Sequence, residues 1–295
     1  MRLSTVILPV YRWAEGRRVW RRAEELGFHT AYTYDHLSWQ TFRDRPWYGA
    51  IPTLTAAATA TDHLRLGTLV TSPNFRHPVT LAKDLMSLDD ISDGRLTVGI
   101  GSGGTGFDAF VLGQVPWSTG ERTQRFAEFV ALLDRLLTEP STTDEGHYYS
   151  AVEARMIPGC VQEPRVPLVI AATGPRGMEL AAEFGRGWVT YGDPNGPADL
   201  PVERAPAVVK AQMEMLEAAC VRRGRACDQV DKVLLQGITA ERPLRSVGAF
   251  VDWAGRYQTL GITEIVLHWP VPESVFANDP DVFEKIVTEG LSQLH

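Results

Sequence analysis

The chain has 295 residues, of which 44% are hydrophobic and 22% are charged, which is an ordinary globular composition. This length fits either two domains or one large α/β barrel. The net charge of -7 argues against a nucleic-acid-binding or membrane-surface protein, because phosphate-rich partners require a basic face. We therefore expect a small-molecule substrate, with no nucleic acid and no membrane as partner.

The cysteines and the hydropathy of the chain indicate in which cellular compartment the protein is expected. The three cysteines, Cys160, Cys220 and Cys227, are too few and too scattered for a disulfide framework, and none lies in a CxxC motif. The apolar stretch at residues 1–9 is too short for a signal peptide, and no run of about 18 apolar residues occurs. We expect a soluble, cytoplasmic protein.

Strand-like and helix-like segments alternate along the whole chain. The strand-like segments end near Pro9, Tyr34, Thr71, Gly101, Ala172, Tyr191, Ile238 and His268. Helical periodicity follows each of them, at residues 13–26, 49–61, 79–92, 120–138, 176–184, 202–223, 244–259 and 279–293. Eight such repeats favour a TIM (β/α)8 barrel over a doubly wound sheet with a second domain. We predict one barrel domain over residues 1–295.

Two irregular segments interrupt the alternation. Residues 139–166 form an insertion between the fourth helix and the fifth strand, in which residues 146–149 are predicted to be a short strand. Residues 102–119 form a glycine-rich loop before the fourth helix. Loops at the carboxyl ends of barrel strands surround the active site, so we expect this loop to fold over the barrel mouth.

An acidic residue and a histidine follow the second strand. Asp35 and His36 come directly after residues 30–34, and therefore lie at the active-site rim of a barrel. Histidine exchanges a proton near neutral pH at little cost, so His36 is a candidate general acid or base. Alternatively, Asp35 caps the following turn and His36 is a packing residue.

A second candidate site lies at residues 171–177, between the fifth strand and a short helix. Glycines let the backbone approach a ligand closely, and the free amides of a helix start attract an anion. Arg176 can add charge-assisted hydrogen bonds to a phosphate. The alternative is a tight strand-to-helix turn, which also requires glycine and proline.

Several other motifs have two interpretations or are absent. Residues 99–104 satisfy GxGxxG, but no long helix starts before about residue 120, so close approach of the backbone to a flat ligand is favoured over a nucleotide-binding fold. No metal-binding or P-loop motif occurs, and we predict no metal site. Four tryptophans lie in or beside loops: Trp39, Trp47, Trp117 and Trp269. They could form an aromatic rim that binds a planar substrate, or they could be ordinary packing residues.

Taken together, several separate segments give the chain a family resemblance. It resembles the bacterial luciferase-like superfamily of flavin and deazaflavin oxidoreductases, which are TIM barrels, over most of residues 1–192. The segments that carry the resemblance are Ala23-Glu-Glu-Leu-Gly-Phe28, Tyr34-Asp-His-Leu37, Phe75-Arg-His-Pro78, Leu88-Asp-Asp-Ile-Ser-Asp-Gly-Arg95, Val98-Gly-Ile-Gly101, Ala171-Ala-Thr-Gly-Pro175 and Gly185-Arg-Gly-Trp188.

The resemblance implies a flavin or deazaflavin ring in the barrel mouth. Its phosphate would lie on Thr173 and Gly174. The resemblance also implies a bulge with a non-prolyl cis peptide near Leu69-Val70, a bond that is costly and retained for function. The predicted cofactor-binding residues are Asp35, Leu69, Val70, Thr71, Gly101, Ser102, Gly103, Ala172, Thr173, Gly174, Pro175 and Arg176.

The Asp-His pair resembles that of members that use the deazaflavin coenzyme F420. There, the aspartate contacts the ring system and the histidine handles a substrate proton. The resemblance therefore implies hydride transfer between coenzyme F420 and an organic substrate, with His36 as general acid or base and Asp35 as its orienting or ring-contacting partner. Deazaflavin-dependent sugar-phosphate dehydrogenases carry an acidic residue where this chain has Gly104, so that substrate and that acid role do not carry over.

Other functions remain open from the sequence. The nearest is an FMN-dependent monooxygenase that works with a separate flavin or F420 reductase, as similar proteins do. A non-catalytic flavin-binding protein and a non-redox barrel enzyme such as an isomerase are further alternatives. The resemblance also implies a homodimer, and the substrate is not specified because the rim loops that determine it vary on this scaffold.

Overall fold

The computed structural model describes residues 1–104, 106–193, 202–238 and 241–294. This part of the chain forms ten β-strands and nine α-helices. The strands are β1 Arg2–Val6, β2 Thr30–Thr33, β3 Arg65–Thr71, β4 Leu96–Gly101, β5 Ser141–Glu145, β6 Ser150–Arg155, β7 Leu168–Ala171, β8 Gly187–Thr190, β9 Asp231–Leu235 and β10 Glu264–His268. The helices are α1 Trp13–Glu25, α2 Ala50–Ala58, α3 Pro78–Ile91, α4 Phe107–Val111, α5 Thr119–Thr138, α6 Pro175–Phe184, α7 Ala205–Arg222, α8 Val247–Leu260 and α9 Pro280–Lys285.

Eight of the strands close into a parallel barrel. Their order around the ring is β1-β10-β9-β8-β7-β4-β3-β2, and every neighbouring pair is parallel. Helices connect successive strands, and each lies outside the ring. The predicted TIM barrel is confirmed. Six of its strands end within one residue of the predicted position, whereas β1 and β9 end three residues earlier than predicted, at Val6 and Leu235.

Two apolar layers hold the barrel together. The outer layer joins strand residues such as Leu66 and Trp188 to helix residues such as Leu85 and Leu133, all of which are fully buried. The inner layer fills the barrel with side chains that alternate with the outer ones along each strand. Its members include Val6, Tyr32, Leu69, Val169, Val189, Val233 and Val266.

The insertion is a two-stranded antiparallel hairpin, β5–β6, and one detail of its prediction was wrong. Residues 146–149 form the turn of the hairpin rather than a strand, and the strands lie on either side of them. A carboxylate of α5 holds this turn, because Glu128 Oε1 accepts hydrogen bonds from the amides of Tyr148 at 2.8 Å and Tyr149 at 2.7 Å. These tertiary contacts outweigh the β propensity of the two tyrosines.

The third strand carries the irregularity that the family resemblance implied. The Leu69–Val70 peptide bond is cis, and the pairing of β3 with β4 shifts register between Thr68 and Thr71. A β-carbon on Gly99 of β4 would lie 2.3 Å from the Thr68 carbonyl oxygen, so only glycine fits beside this bulge. The glycine run of β4 therefore serves close strand packing, not a nucleotide-binding fold.

The amino end of the barrel holds a partly buried ionic cluster, in which the Glu264 side chain is buried while those of Arg2 and Asp231 are partly exposed. Arg2 lies 2.9 Å from Asp231 and 3.2 Å from Glu264, and the Tyr32 hydroxyl donates to Glu264 at 3.3 Å. In TIM barrels this end serves stability and the opposite end serves function. Among the described residues, no helix is both long and apolar enough to span a membrane.

Candidate active site

The carboxyl ends of the strands form the barrel mouth, which has two halves. The closed half is the aromatic cluster Tyr34, Trp39, Phe42, His268 and Phe276, over the ends of β10, β1 and β2. The open half is the half-exposed surface of Val70, Ser102, Ala171, Thr173 and Tyr191, over the ends of β3, β4, β7 and β8.

The closed half is packed around a neutral histidine. The His268 ring stacks on Phe276 with centroids 3.9 Å apart, and the Tyr34 hydroxyl lies 2.8 Å from His268 Nε2. Burial lowers the pKa of His268 to about 3, because within the described residues no carboxylate lies beside it to favour the charged form. The tyrosine hydroxyl and the neutral imidazole share a hydrogen bond, and this arrangement stabilises the closed half.

Asp35 lies at the end of β2 and is bound by an arginine rather than by its neighbour. Arg76 Nε and Nη2 donate to its two carboxylate oxygens at 3.0 and 2.7 Å, and Thr71 Oγ1 donates at 2.6 Å. Asp35 is 1% exposed, so the ion pair is buried. Asp35 thus ties the end of β2 to the end of β3 and to the segment that follows it.

His36 has a different carboxylate partner. Its Nδ1 lies 2.9 Å from Asp108 Oδ2, while Asp108 Oδ1 accepts a hydrogen bond from the Leu37 amide at 2.8 Å. The prediction that Asp35 orients His36 was therefore wrong. Successive side chains of an extended segment point in opposite directions, so adjacent residues at a strand end do not face each other. The alternatives of a capping Asp35 and a packing His36 do not describe these contacts either.

Asp108 is buried and negatively charged. Burial alone would raise the pKa of its carboxyl, but hydrogen bonds from His36, from the Leu37 amide and from Asn74 outweigh burial and hold the pKa below its ordinary value. The Asn74 amide nitrogen lies 3.4 Å from Asp108 Oδ2. The carboxylate therefore joins three separate segments of the barrel mouth.

Asp108 belongs to a segment that folds over the mouth, as the glycine-rich loop was predicted to do. This lid segment comprises residues 102–117 without Thr105, which lies outside the described residues. Arg122 of α5 donates to the Gly103 carbonyl at 2.6 Å and holds the base of the segment. A cavity of about 230 Å³ lies against it, lined by residues that include Asn74, Gly104, Trp117 and Arg122.

The predicted ring-binding residues line the open half. Val70, Ser102 and Gly103 are half-buried and adjacent, and a β-carbon on Gly101 would lie 3.0 Å from Val70 Cγ2. Leu69 belongs instead to the barrel interior, and Thr71 is committed to Asp35. The Ser72 hydroxyl is buried with no hydrogen-bond partner among the described residues. A half-buried surface of small residues fits a planar heterocycle.

The predicted phosphate-binding residues lie at the start of α6. Gly174 is the N-cap residue in an extended conformation, Pro175 follows it, and no side chain caps this helix within the described structure. A β-carbon on Gly174 would meet nothing within 4 Å, so the space in front of the helix is open. Thr173 is half-buried and Arg176 is exposed, whereas Ala172 packs inward and its carbonyl accepts from Trp188 Nε1 at 2.8 Å. This geometry suits an anion.

The four tryptophans separate into two groups. Trp39 and Trp47 are at the mouth, stacked with centroids 6.5 Å apart, and Trp47 Nε1 donates to the His36 carbonyl at 2.8 Å. Trp269 packs against Phe283 at 5.5 Å, and Trp117 lies under Arg125 at 4.0 Å. Ordinary packing therefore describes Trp269, while Trp39 and Trp47 form an aromatic wall beside His36.

The sequence prediction missed three residues of this site: Asp108, Arg76 and Asn74. Arg76 lies in one of the segments that carry the family resemblance, but no role was assigned to it. Asp108 lies in the loop that was predicted to cover the mouth, where an acidic residue among glycines and apolar residues was an available signal. In the described part of the chain, no group of three or more His, Cys, Asp or Glu residues is arranged to hold a metal ion.

Curated relatives of two kinds are similar to this chain. It is 37% identical over 176 residues to an F420-dependent glucose-6-phosphate dehydrogenase from Beutenbergia cavernae, which covers 57% of this chain and 49% of that protein. It is 30% identical over 253 residues to the 4-hydroxyprotoasukamycin monooxygenase of Streptomyces nodosus subsp. asukaensis, which covers 82% and 65%. The chain spans about half the length of the dehydrogenases it matches.

Solved structures share the fold at lower identity. An F420-dependent secondary alcohol dehydrogenase in complex with an F420-acetone adduct superimposes with a TM-score of 0.82 at 19% identity, covering 100% of this chain and 99% of that one. The coenzyme F420-dependent tetrahydromethanopterin reductase of Methanopyrus kandleri gives a TM-score of 0.79 at 17% identity, with the same coverage. At this identity these structures establish the barrel fold.

A protein-family model matches most of this chain. The model described as luciferase-like monooxygenase matches residues 2–239. This range includes seven of the eight barrel strands, the lid segment and the start of α6. The chain belongs to the luciferase-like monooxygenase family.

Proposed function

We propose that this chain is an oxidoreductase that uses coenzyme F420 to transfer a hydride to or from an organic substrate. The observation that carries the proposal is the His36–Asp108 pair at 2.9 Å, beside a surface of small residues and an uncapped helix start. A proton-transfer group and a site for a planar, phosphate-bearing cofactor thus share the barrel mouth. Such a cofactor would supply a two-electron hydride carrier, leaving position and proton transfer to the protein.

Each part of the cofactor has a proposed binding surface. Val70, Ser102 and Gly103 would hold the ring. Thr173, Gly174 and Arg176 would hold the phosphate at the start of α6. The predicted contact of Asp35 with the ring remains a proposal, since its oxygens already accept three hydrogen bonds from Arg76 and Thr71.

His36 would exchange the substrate proton. Its side chain is 18% exposed and lies between the aromatic wall and the lid segment. Hydride transfer to or from a carbon that bears oxygen requires a proton to leave or reach that oxygen, and a histidine at the rim can perform this step. The choice of coenzyme F420 is supported by relatives named for it, including an F420-dependent hydroxymycolic acid dehydrogenase of Mycobacterium tuberculosis.

A cofactor titration tests the proposal directly. The purified protein is titrated with coenzyme F420 and with FMN, and dissociation constants are obtained from fluorescence. We expect coenzyme F420 to bind at least tenfold more tightly, a difference of about 1.4 kcal/mol. A tenfold preference for FMN would reject the deazaflavin, and no binding of either cofactor would favour a non-redox barrel enzyme.

The Gly174→Asp variant tests the proposed phosphate site without changing the proposed ring-binding surface. Aspartate is a somewhat better N-cap residue than glycine, so this variant should stabilise α6 by about 0.3 kcal/mol while its carboxylate occupies the amides that the phosphate needs. We expect a higher melting temperature together with at least tenfold weaker binding of phosphate-bearing cofactor. Gly174→Ala is the matched control, because its methyl group meets no neighbour within 4 Å. Unchanged cofactor affinity in the aspartate variant would place the phosphate elsewhere.

The second candidate is an FMN-dependent monooxygenase. The similarity to the 4-hydroxyprotoasukamycin monooxygenase supports it, because that match covers 82% of this chain. An experiment with the protein loaded with reduced cofactor distinguishes the two candidates. The loaded protein is mixed with oxygen and with candidate substrates. Oxygen consumption coupled to substrate oxygenation supports the monooxygenase, and oxygen-independent transfer of two electrons supports the dehydrogenase or reductase. Cofactor binding without any turnover would favour the non-catalytic flavin-binding alternative.

A further inference from the structure

Asp108 occupies an unusual place for a residue of the lid segment. It lies in the short helix α4, yet it is 1% exposed and its carboxylate reaches back to the end of β2. There it contacts the His36 ring, the Leu37 amide and the Asn74 amide. No arginine or lysine is bonded to it among the described residues, so its partners are a histidine and two neutral donors.

The charge of Asp108 determines which nitrogen of His36 carries a proton. Its pKa lies below the ordinary value of an aspartate, so the carboxyl is ionised at neutral pH. An ionised carboxylate only accepts hydrogen bonds. His36 Nδ1, which lies 2.9 Å from Asp108 Oδ2, must therefore be the donor and carry hydrogen.

The other ring nitrogen is then free to react. When Nδ1 carries hydrogen, the neutral imidazole has its lone pair on Nε2. His36 Nε2 has no hydrogen-bond partner in the described part of the chain, whereas the hydroxyl of the neighbouring Tyr34 is bonded to His268 Nε2. The arrangement leaves one proton-accepting atom at the barrel mouth.

We propose that Asp108 is the positioning residue of His36, holding the ring in the Nδ1–H tautomer with Nε2 available to take or return the substrate proton. The role in proton transfer rests on the proposed function. Because Asp108 belongs to the lid segment, the correct tautomer requires the lid segment to be docked. Asn74, on the segment after β3, supports the carboxylate from the other side.

The tautomer can be measured without any cofactor or substrate. Nitrogen-15 NMR of histidine-labelled protein distinguishes protonated from unprotonated ring nitrogens, and a His36→Asn spectrum identifies the signals of His36 among the seven histidines. In the neutral form of its imidazole, we expect His36 to carry hydrogen on Nδ1 alone. Hydrogen on Nε2, or a mixture of both tautomers in the unaltered protein, would overturn the proposal.

Asp108→Asn tests the carboxylate with almost no change in shape. Asparagine can donate as well as accept, so we expect mixed His36 tautomers and a kcat about 100-fold lower, with cofactor affinity within twofold. Asp108→Glu, which keeps the charge, should restore most of the Nδ1–H tautomer. An unchanged tautomer in Asp108→Asn would remove Asp108 from this role.

The two proposals fail in distinguishable ways. If neither cofactor binds but His36 shows the Nδ1–H tautomer and loses it in Asp108→Asn, the proposed function fails and the positioning of His36 stands. If coenzyme F420 binds and turns over while His36 carries hydrogen on Nε2, the function stands and the positioning fails. Circular dichroism of Asp108→Asn confirms that the barrel is intact in either case.

Discussion

The two halves of the barrel mouth place histidines in opposite environments. His268, in the closed half, is fully buried, stacked on Phe276 and bonded to a tyrosine hydroxyl. His36, at the border of the open half, is partly exposed and lies beside a carboxylate. Burial without a counter-charge makes a histidine a neutral packing residue, whereas a carboxylate partner and access to solvent allow it to exchange protons.

The carboxylates at the mouth differ in the same way. Asp35 is paired with Arg76, a permanent cation, and so joins segments of the chain. Asp108 is paired with a histidine ring instead of a permanent cation. Partner chemistry, rather than residue type, therefore separates the structural members of this site from the reactive ones.

Replacing the histidine that we propose as the proton-transfer group should give the largest effect. His36→Asn should leave cofactor affinity within a few-fold and lower kcat by about 10²–10⁴, the loss typical of acid-base catalysis. The measurement is steady-state turnover with a separate cofactor titration. Turnover equal to that of the unaltered protein would assign the proton transfer to another group.

Breaking the structural ion pair should affect folding more than chemistry. Arg76→Leu leaves the buried Asp35 carboxylate without its cation, which should lower the free energy of unfolding by about 3–5 kcal/mol. Urea unfolding measures this loss. The double variant Asp35→Asn/Arg76→Leu is the control, and it should recover much of the stability because no uncompensated charge remains. Equal destabilisation in both variants would show that packing, not charge, is responsible.

The buried histidine should make stability depend on pH. The pKa of His268 is about 3 in the folded protein and about 6.5 in an unfolded chain, so below pH 6.5 the unfolded chain binds a proton that the folded protein does not. The contribution of the neutral, buried His268 to the free energy of unfolding is fully present above pH 6.5. Between pH 6.5 and 3 this contribution falls by about 1.4 kcal/mol per pH unit.

His268→Gln isolates that contribution. Between pH 6.5 and 4.5, the free energy of unfolding should fall less steeply in this variant than in the unaltered protein. The difference between the two slopes should be about 1.4 kcal/mol per pH unit. His36→Asn is the comparison variant, and it should keep the steep dependence. Parallel curves for His268→Gln and the unaltered protein would contradict a neutral, buried His268.

The smallest effect concerns the base of the lid segment. Gly103 has a φ of +83°, and a β-carbon there would lie 2.3 Å from Asn74 Oδ1. Gly103→Ala should therefore displace Asn74 and cost about 1–2 kcal/mol of stability. Gly104→Ala is the matched control, since it meets no neighbour within 4 Å and should change stability by less than about 0.5 kcal/mol. Similar melting temperatures for the two variants would show that the Gly103–Asn74 approach is not constrained.

The regular parts of the fold were predictable because their signals are local. Apolar strands, helical periodicity and the glycines that separate them repeat along the chain, and the eight predicted strand ends correspond to the barrel mouth. The cis Leu69–Val70 bond followed from the family resemblance. The hairpin turn at residues 146–149 was predicted wrongly because its conformation depends on Glu128, about twenty residues away.

The sequence by itself determined the barrel, the loop before α6 and the presence of Asp35 and His36 at one strand end. Only the tertiary structure decided their partners: Arg76 lies 41 residues after Asp35, and Asp108 lies 72 residues after His36. Neighbours along an extended strand point apart, so the contacts that set charge and tautomer come from distant segments. Ring closure and the folding of the lid segment bring those segments together, and no local pattern encodes that proximity.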